Sequence, residues 1–219
     1  MDEQTKATAR ALLDLHPRGY AGELGIQVTK SPKGLFRLLC FAILAEDASP
    51  SPATGEAMRA LQERGLDSAP EMAQSSEEER TELLREAGHG RADEAADWLH
   101  QAAEQVLDRH DGDLNNLLDE AEGDHHRIRA ALGELPGMDE AGIAVFLREV
   151  QMMRPEVAPF ADEGALAAAK RLGLPIDAEE LMTDVARGQR NEELANLVGA
   201  LALVEARDEY DEVRKHASS

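Results

Sequence analysis

Cysteine, aromatic residues and lysine are all scarce in this sequence of 219 residues. The single cysteine, Cys40, excludes an internal disulfide and a four-cysteine metal cluster. Aromatic residues make up 3% of the chain, so its core must consist mainly of Leu, Ala, Val and Met. No apolar run approaches the ~20 residues that cross a bilayer, because the longest, 38–45, ends at Glu46 and Asp47. The N-terminal segment "MDEQTKATAR" lacks the apolar centre of a signal peptide. These absences predict a soluble, cytoplasmic protein that has no membrane partner.

Negative charge is what the sequence has in excess. It contains 44 acidic and 23 basic residues, which gives a formal net charge of −21, and only five of the basic residues are lysines. An acidic, lysine-poor surface suits high salt, where repulsion between carboxylates is screened. The same surface opposes tight DNA binding at low salt. We therefore hypothesise that the protein comes from a halophile.

Signals for helices run through the whole chain, and no convincing alternating strand or internal repeat is found. Ser31, Ser51 and Ser76 stand before Pro or Glu in patterns typical of helix starts. The predicted helices cover residues 2–16, 33–46, 52–64, 69–74, 76–88, 91–110, 113–121, 123–132, 139–151, 161–171, 177–187 and 191–208. The link at 16–27 is predicted to be rich in turns, and residues 214–219 are expected to fray. The fold class is therefore predicted to be all-α.

The stretch "IRAALGELPGMDEAGIAVFLREV" has the layout of a helix-hairpin-helix module, in which a tight turn joins two helices. A helix ends before Leu135-Pro136-Gly137, Met138 is expected to point inward, and an apolar helix follows. Such a turn can present backbone N–H groups and a helix N-terminus to a phosphate. The layout alone is a weak signal, because Leu-Pro-Gly also precedes helices in plain helical bundles. Asp139 fits an ordinary N-cap of the second helix.

Three segments together resemble the endonuclease III-like (HhH-GPD) superfamily of base-excision DNA glycosylases, over about residues 31–175. The segments "SPKGLFRLLCFAILAED", "LPGMDEAGIAVFLREVQ" and "PEVAPFADEGALAAAKRLGLP" are similar to the first barrel helix, the hairpin with its second helix, and the segment that delivers the catalytic aspartate. The resemblance implies a two-lobed helical bundle. A barrel lobe would span 31–153, and 1–30 plus 154–219 would form the second lobe. The similarity is to a cluster-free branch, so neither a cofactor nor an iron–sulfur cluster is expected.

The same resemblance implies a DNA N-glycosylase of base excision repair, whose partner would be damaged or mismatched double-stranded DNA. In this family a carboxylate faces the flipped nucleotide and stabilises the charge that develops on the sugar. The matching residue is Asp162, which would lie across a groove from the phosphate grip at Gly137. The residues expected to bind DNA are Leu135, Pro136, Gly137 and Met138 in the hairpin, Arg148 on the second helix, and His89 and Arg91 in the loop "GHGRADEA".

Three positions depart from the family's pattern. Asp139 replaces a glycine and places a carboxylate beside the phosphate contact. Ala141 replaces the lysine that forms a Schiff base in bifunctional members, so a glycosylase here would be monofunctional and would use water. Asp47 replaces the Gln or Arg that enters the hole left by the flipped base.

Other interpretations stay open for several of these residues. Asp162 also fits an N-cap, residues 88–95 also fit a Gly-rich helix connection, and Arg148 also fits an ion pair with Glu149. His110, His125 and His126 lie among acids, but adjacent histidines on a helix point about 100° apart, so no metal site is predicted.

For the whole chain, three interpretations remain. The first is a monofunctional glycosylase, the second is an inactive glycosylase-fold module that binds DNA or protein, and the third is a helical protein unrelated to repair. No oligomeric state is predicted.

Overall fold

The structure, a computed structural model, describes residues 3–45, 51–185 and 191–218, and all the regular secondary structure in these ranges is helical. Helices α1 to α14 are, in chain order, Glu3–Leu15, Gly19–Glu23, Pro32–Leu44, Pro52–Arg64, Ala69–Gln74, Glu77–Glu86, Ala92–His110, Leu114–Glu120, His125–Gly133, Glu140–Val150, Glu163–Arg171, Ala178–Glu180, Asn191–Arg207 and Tyr210–Ala217. A 3-10 turn covers Pro155–Val157, and a π-helical turn, Leu181–Val185, continues α12. The predicted all-α class is confirmed. Asp47 lies outside the described residues.

The chain divides into two compact units. Ile26–Phe146 forms one, which we call the internal unit, and Met1–Gly25 with Leu147–Ser219 forms the other, which we call the terminal unit. The division predicted from the sequence, at 30/31 and 153/154, places both boundaries a few residues later.

The internal unit is built on α3, in which every residue from Gly34 to Leu44 except Arg37 is buried. Arg37 donates from Nε to Asp67 Oδ2 at 2.7 Å, and Lys33 Nζ lies 2.8 Å from Asp67 Oδ1. Asp67 is 2% exposed, so its charge needs these two partners. The paired carboxylate ties α3 to the segment between α4 and α5.

The helix starts signalled by serine are confirmed. The Oγ atoms of Ser31, Ser51 and Ser76 each accept a hydrogen bond from a backbone N–H three residues later, at 3.0, 3.0 and 3.1 Å. Each bond satisfies one of the donors that a helix N-terminus leaves without an intrahelical partner.

The terminal unit is centred on α13, which packs against α2 and α11. Gly199 makes the closest approach, because a Cβ atom there would lie 2.7 Å from Tyr20 N and 3.1 Å from Gly19 Cα. Gly19 has a φ of +62°, a left-handed conformation that glycine adopts readily. Two glycines therefore allow the backbones of α2 and α13 to meet, and Tyr20 is fully buried beside them.

Two local predictions are wrong. The link at 16–27, predicted as turns, contains the helix α2, and the end of the chain, predicted to fray, contains α14. Tertiary packing explains the second difference, because Tyr210 and Val213 are buried and the Arg171 guanidinium lies 3.6 Å from the centroid of the Tyr210 ring. Packing against the rest of the unit stabilises short helices whose own propensity is weak.

No helix in the part of the chain that the structure describes is long and apolar enough to cross a membrane. Across the same residues, no group of three or more His, Cys, Asp or Glu side chains is placed to hold a metal ion. Cys40 is buried in α3, as predicted.

We expect Gly199→Ala to destabilise the protein by about 1–3 kcal/mol, because the new methyl group would overlap backbone atoms of α2 that have no room to move. Gly133→Ala is the matched control, since its Cβ atom would meet only Ile143 Cδ1, at 3.6 Å, an ordinary contact. Urea unfolding of both variants measures the difference. Equal stability of the two would contradict the close α2–α13 packing.

Candidate functional site

The predicted phosphate-binding turn joins α9 to α10 in the internal unit. The Met138 N–H donates to the Leu135 carbonyl at 3.1 Å and closes a four-residue turn around Pro136 and Gly137. Gly137 has a φ of +79°, which a type II turn requires at its third position. Leu135 and Met138 are buried, so their side chains anchor the turn. Any contact of this turn with DNA would therefore involve its backbone.

Close packing also requires glycine at position 137. A Cβ atom there would lie 2.8 Å from Trp98 Cβ and 2.9 Å from Ile43 Cγ2. Trp98 is the only tryptophan of the chain and belongs to α7, and Ile43 is near the end of α3. The turn is thus pressed against two helices, which fixes its backbone before any ligand binds.

Asp139 is the N-cap of α10, as its alternative interpretation predicted. Its Oδ1 accepts a hydrogen bond from Gly142 N–H at 2.9 Å. Gly142 in turn lets α10 approach α3, because a Cβ atom there would lie 2.9 Å from the Ala42 carbonyl oxygen. Ala141 occupies the first turn of the same helix and supplies no amine. The carboxylate that replaces the family's glycine therefore stabilises the start of the hairpin's second helix.

Basic residues neutralise the other acids near the turn. Glu134 Oε2 lies 3.0 Å from Arg109 Nη1, and Glu140 forms an ion pair with Arg129 of α9. These pairs are exposed, so each contributes little to stability. They nevertheless leave the surroundings of the turn far less negative than the net charge of the chain suggests.

His89 lies just after α6, and both nitrogens of its ring contact other residues of the protein. Its Nε2 lies 3.1 Å from the Leu44 carbonyl oxygen, and its Nδ1 accepts a hydrogen bond from Arg91 N–H at 3.3 Å. The residue is 6% exposed. Because both ring nitrogens have protein partners, the predicted contact between His89 and DNA is not supported. The ring instead fixes the connection between α6 and α7 to the end of α3.

Arg91 is exposed, and its guanidinium lies over the Trp98 ring, with Cζ 5.1 Å from the centroid. Trp98 also packs against Gly137, so the loop and the hairpin turn meet the same tryptophan. The structure thus brings together, within one unit, the turn at 135–138 and Arg91. An exposed cation at this place remains suited to a phosphate.

Asp162 lies at the start of α11 in the terminal unit, and both of its carboxylate oxygens are engaged. Oδ1 accepts a hydrogen bond from Ala165 N–H at 3.0 Å, which makes Asp162 the N-cap that its alternative interpretation predicted. Oδ2 accepts from Arg148 Nε at 2.9 Å and lies 2.8 Å from Arg148 Nη2. The side chain is 9% exposed. Its charge is therefore compensated inside the protein.

Arg148 is fully buried, which contradicts the predicted contact between this residue and the DNA backbone. Its guanidinium is held by Asp162 and lies over the Tyr20 ring, with Cζ 4.6 Å from the centroid. A buried guanidinium without an acid and a ring beside it would be costly. Arg148 thus holds Asp162 in place.

Of the two neighbours of this ion pair, Glu149 was expected only as an alternative partner of Arg148, and Gln151 was not predicted. Gln151 accepts from Phe160 N–H and donates to the Phe160 carbonyl, both at 2.9 Å, and so closes the segment between α10 and α11. Glu149 is 4% exposed, and burial raises the pKa of its carboxyl group to about 7. Burial also raises the pKa of Tyr20 above its ordinary value. The signal in the sequence was the charged pair "RE" inside the apolar run "AVFLREV", since every residue of α10 from Val145 to Val150 is buried.

We expect Arg148→Met to cost about 3–5 kcal/mol of folding free energy, because it leaves Asp162 charged and buried without its partner. Adding Asp162→Ser should recover most of that loss, since serine keeps the N-cap and carries no charge. Urea unfolding of the two single variants and the double variant measures the coupling.

The exposed pair of Arg214 and Asp211, 3.0 Å apart in the same unit, provides the matched control. Arg214→Met should cost no more than about 1 kcal/mol. If Arg148→Met were equally mild, the Arg148–Asp162 pair would not be an organising contact of this unit.

Comparison with known proteins bears on the fold. Neither a protein-family model nor a curated protein sequence matches the chain. Among solved structures, the chain is similar to endonuclease III trapped as a covalent intermediate with DNA in an estranged-adenine complex. The identity is 17% and the TM-score 0.58, and the match covers 93% of this chain and 86% of that chain. At this identity the likeness concerns the fold, and the chain therefore has an endonuclease III-like fold.

Proposed function

We propose that this chain is a DNA N-glycosylase-like protein of base excision repair that holds damaged or mismatched duplex DNA through the hairpin between α9 and α10. The observation that carries the proposal is the turn at 135–138, in which Gly137 is fixed against Trp98 and Ile43 and leads directly into α10. A rigid turn at a helix N-terminus favours a phosphate through backbone N–H groups and the helix dipole. The endonuclease III-like fold supports the same assignment.

The proposed reaction is monofunctional. Ala141 provides no amine for a Schiff base, so water is the nucleophile. The N-glycosidic bond of a flipped nucleotide breaks, and its electron pair leaves with the base, which takes a proton from solvent. Water adds to the sugar carbon and gives a proton to Asp162, which then returns that proton to solvent. The carboxylate also stabilises the positive charge that develops on the sugar.

The second candidate is an inactive glycosylase-fold module that binds DNA or protein. One observation favours it specifically: Arg148 compensates the charge of Asp162, and the other oxygen of that carboxylate caps α11. A carboxylate held in this way adds little negative potential at a sugar. The net charge of −21 points in the same direction.

We further propose a cytoplasmic, high-salt setting, and DNA assays need a range of KCl concentrations for this reason. At low salt the net charge of the chain repels DNA, and at high salt the phosphate contacts of any protein weaken. An intermediate optimum is expected.

If the chain is an enzyme, it should release a base from at least one duplex in a panel of damaged and mismatched substrates. Heat and alkali convert the abasic product into a strand break that a gel resolves. Asp162→Asn should abolish the cleavage, because asparagine keeps the cap and removes the charge. Asp177→Asn is the matched control, since Asp177 caps α12 in the same unit.

Three outcomes separate the candidates once thermal melting shows that the variants fold. Cleavage by the wild type and by Asp177→Asn, but not by Asp162→Asn, supports the enzyme. DNA binding without cleavage supports the inactive module. The absence of both at every KCl concentration overturns the DNA assignment.

The hairpin can be tested through its own acid. Asp139→Ser keeps a cap for Gly142 and removes a negative charge beside the proposed phosphate, so duplex DNA should bind several-fold more tightly. Asp177→Ser changes the same charge at another exposed N-cap and should alter the affinity much less. Fluorescence anisotropy of a labelled duplex measures both. Equal affinities of the two variants would place the DNA contact away from the hairpin.

A further inference from the structure

Arg148 and Glu149 are consecutive residues at the end of α10 that carry opposite charges into the interior of the terminal unit. Arg148 is fully buried and Glu149 is 4% exposed. The arginine is directed to Asp162 at the start of α11 and lies over Tyr20 of α2. The glutamate accepts a hydrogen bond from Ala21 N–H, also in α2. The carboxyl group of Glu149 is buried and that of Asp162 nearly so, and the charge of Arg148 acts on both.

The two carboxyl groups are satisfied unequally. Asp162 has donors at both oxygens. Among the residues described by the structure, none donates a hydrogen bond to Glu149 Oε1. A buried carboxylate with so few donors is poorly stabilised when charged, so its neutral form is favoured. The charged and titratable groups that act on this cluster are Arg148, Asp162 and Tyr20.

We propose that Glu149 is a positioning residue that acts on Asp162 through Arg148, and that the proton on Glu149 sets how fully Arg148 compensates Asp162. With Glu149 neutral, Arg148 and Asp162 form a balanced pair. With Glu149 ionised, one guanidinium serves two carboxylates, and the cluster gains a net negative charge. Asp162, less fully compensated, then becomes a stronger stabiliser of positive charge on a sugar. The consequence for activity rests on the proposed glycosylase function, and the coupling of charges does not.

The direction in which burial moves the pKa of Glu149 determines how folding stability and the charge of this cluster depend on pH. Burial raises the pKa of Glu149 to about 7, above its usual value of 4.5. The folded protein therefore favours protonated Glu149. The folding stability that this preference contributes is complete below pH 4.5 and is lost as the pH rises through 7. Ionised Glu149, and with it the less compensated Asp162, prevails above pH 7.

The coupling can be observed without DNA. The side-chain Nε–H resonance of Arg148, identified by its loss in Arg148→Lys, should move with pH in the wild type with a midpoint near pH 7. Glu149→Gln should abolish that movement. Glu163→Gln is the matched control, because Glu163 is exposed in the first turn of α11, next to Asp162, and its removal should leave the titration intact.

Activity on whichever duplex the wild type cleaves provides the second readout. The cleavage rate should rise about tenfold between pH 6 and pH 8, as expected for one group that ionises near pH 7. The rise should persist in Glu163→Gln and disappear in Glu149→Gln. The dissociation constant for DNA should change little between these two variants.

The outcomes separate this inference from the proposed function. An Arg148 resonance that does not titrate in the wild type, or that titrates equally in Glu149→Gln, overturns the inference whether or not the protein cleaves DNA. A resonance that depends on Glu149 in a protein without glycosylase activity supports the coupling and counts against the enzyme. If the resonance depends on Glu149 but the pH profile of cleavage does not, the proposed control of activity is overturned.

Discussion

The interaction on which the terminal unit depends is the burial of the Arg148 guanidinium. A fully desolvated cation is tolerated only where an anion and polarisable groups surround it, and here Asp162 and the ring of Tyr20 meet that need. Tyr20 can lie beneath the guanidinium because Gly19 and Gly199 bring α2 against α13. The close packing of two helices thus creates the place in which one ion pair organises the segment that contains Asp162.

The same interaction constrains any chemistry at Asp162. A carboxylate that is bound by a guanidinium and also caps a helix has a fixed position, which is an advantage for catalysis. Its charge is compensated, however, so less negative potential is left to stabilise a developing cation. The fixed position of Asp162 therefore favours catalysis while its compensated charge opposes it, and the proposed change in the charge of Glu149 would alter this balance without moving Asp162.

The sequence predicted the helices and their starts well, because these depend on local chemistry. Ser31, Ser51 and Ser76 cap helices for reasons that a few neighbouring residues contain, and Asp139 and Asp162 fit caps in the same way. Residues whose role depends on distant contacts were missed. The helix α14 forms because Tyr210 and Val213 are buried by other parts of the unit, and no local pattern announces that burial.

Arg148 shows the general difficulty in predicting a site. A charged residue in a sequence is expected at the surface, where an arginine suits a phosphate, and the prediction of a DNA contact followed from that expectation. The apolar residues on both sides of "RE" in α10 were the contrary signal, since the part of α10 from Val145 to Val150 is buried and leaves these charged residues no route to solvent. The partners of His89, Leu44 and Arg91, are likewise set by packing, and they fit the alternative of a helix connection at 88–95.

The net charge of the chain does not by itself decide whether the hairpin can hold a phosphate. Screening limits the reach of a charge to about 10 Å at 0.1 M salt and to about 3 Å at 1 M, so nearby groups dominate at these salt concentrations. Near the turn, Arg109 and Arg129 neutralise Glu134 and Glu140, and Asp139 is engaged with the start of α10. Arg91 adds a cation on the face of Trp98. The charges that bear most on a phosphate at this turn are therefore those of Arg91, Arg109, Arg129, Glu134, Asp139 and Glu140, and not the net charge of the whole chain.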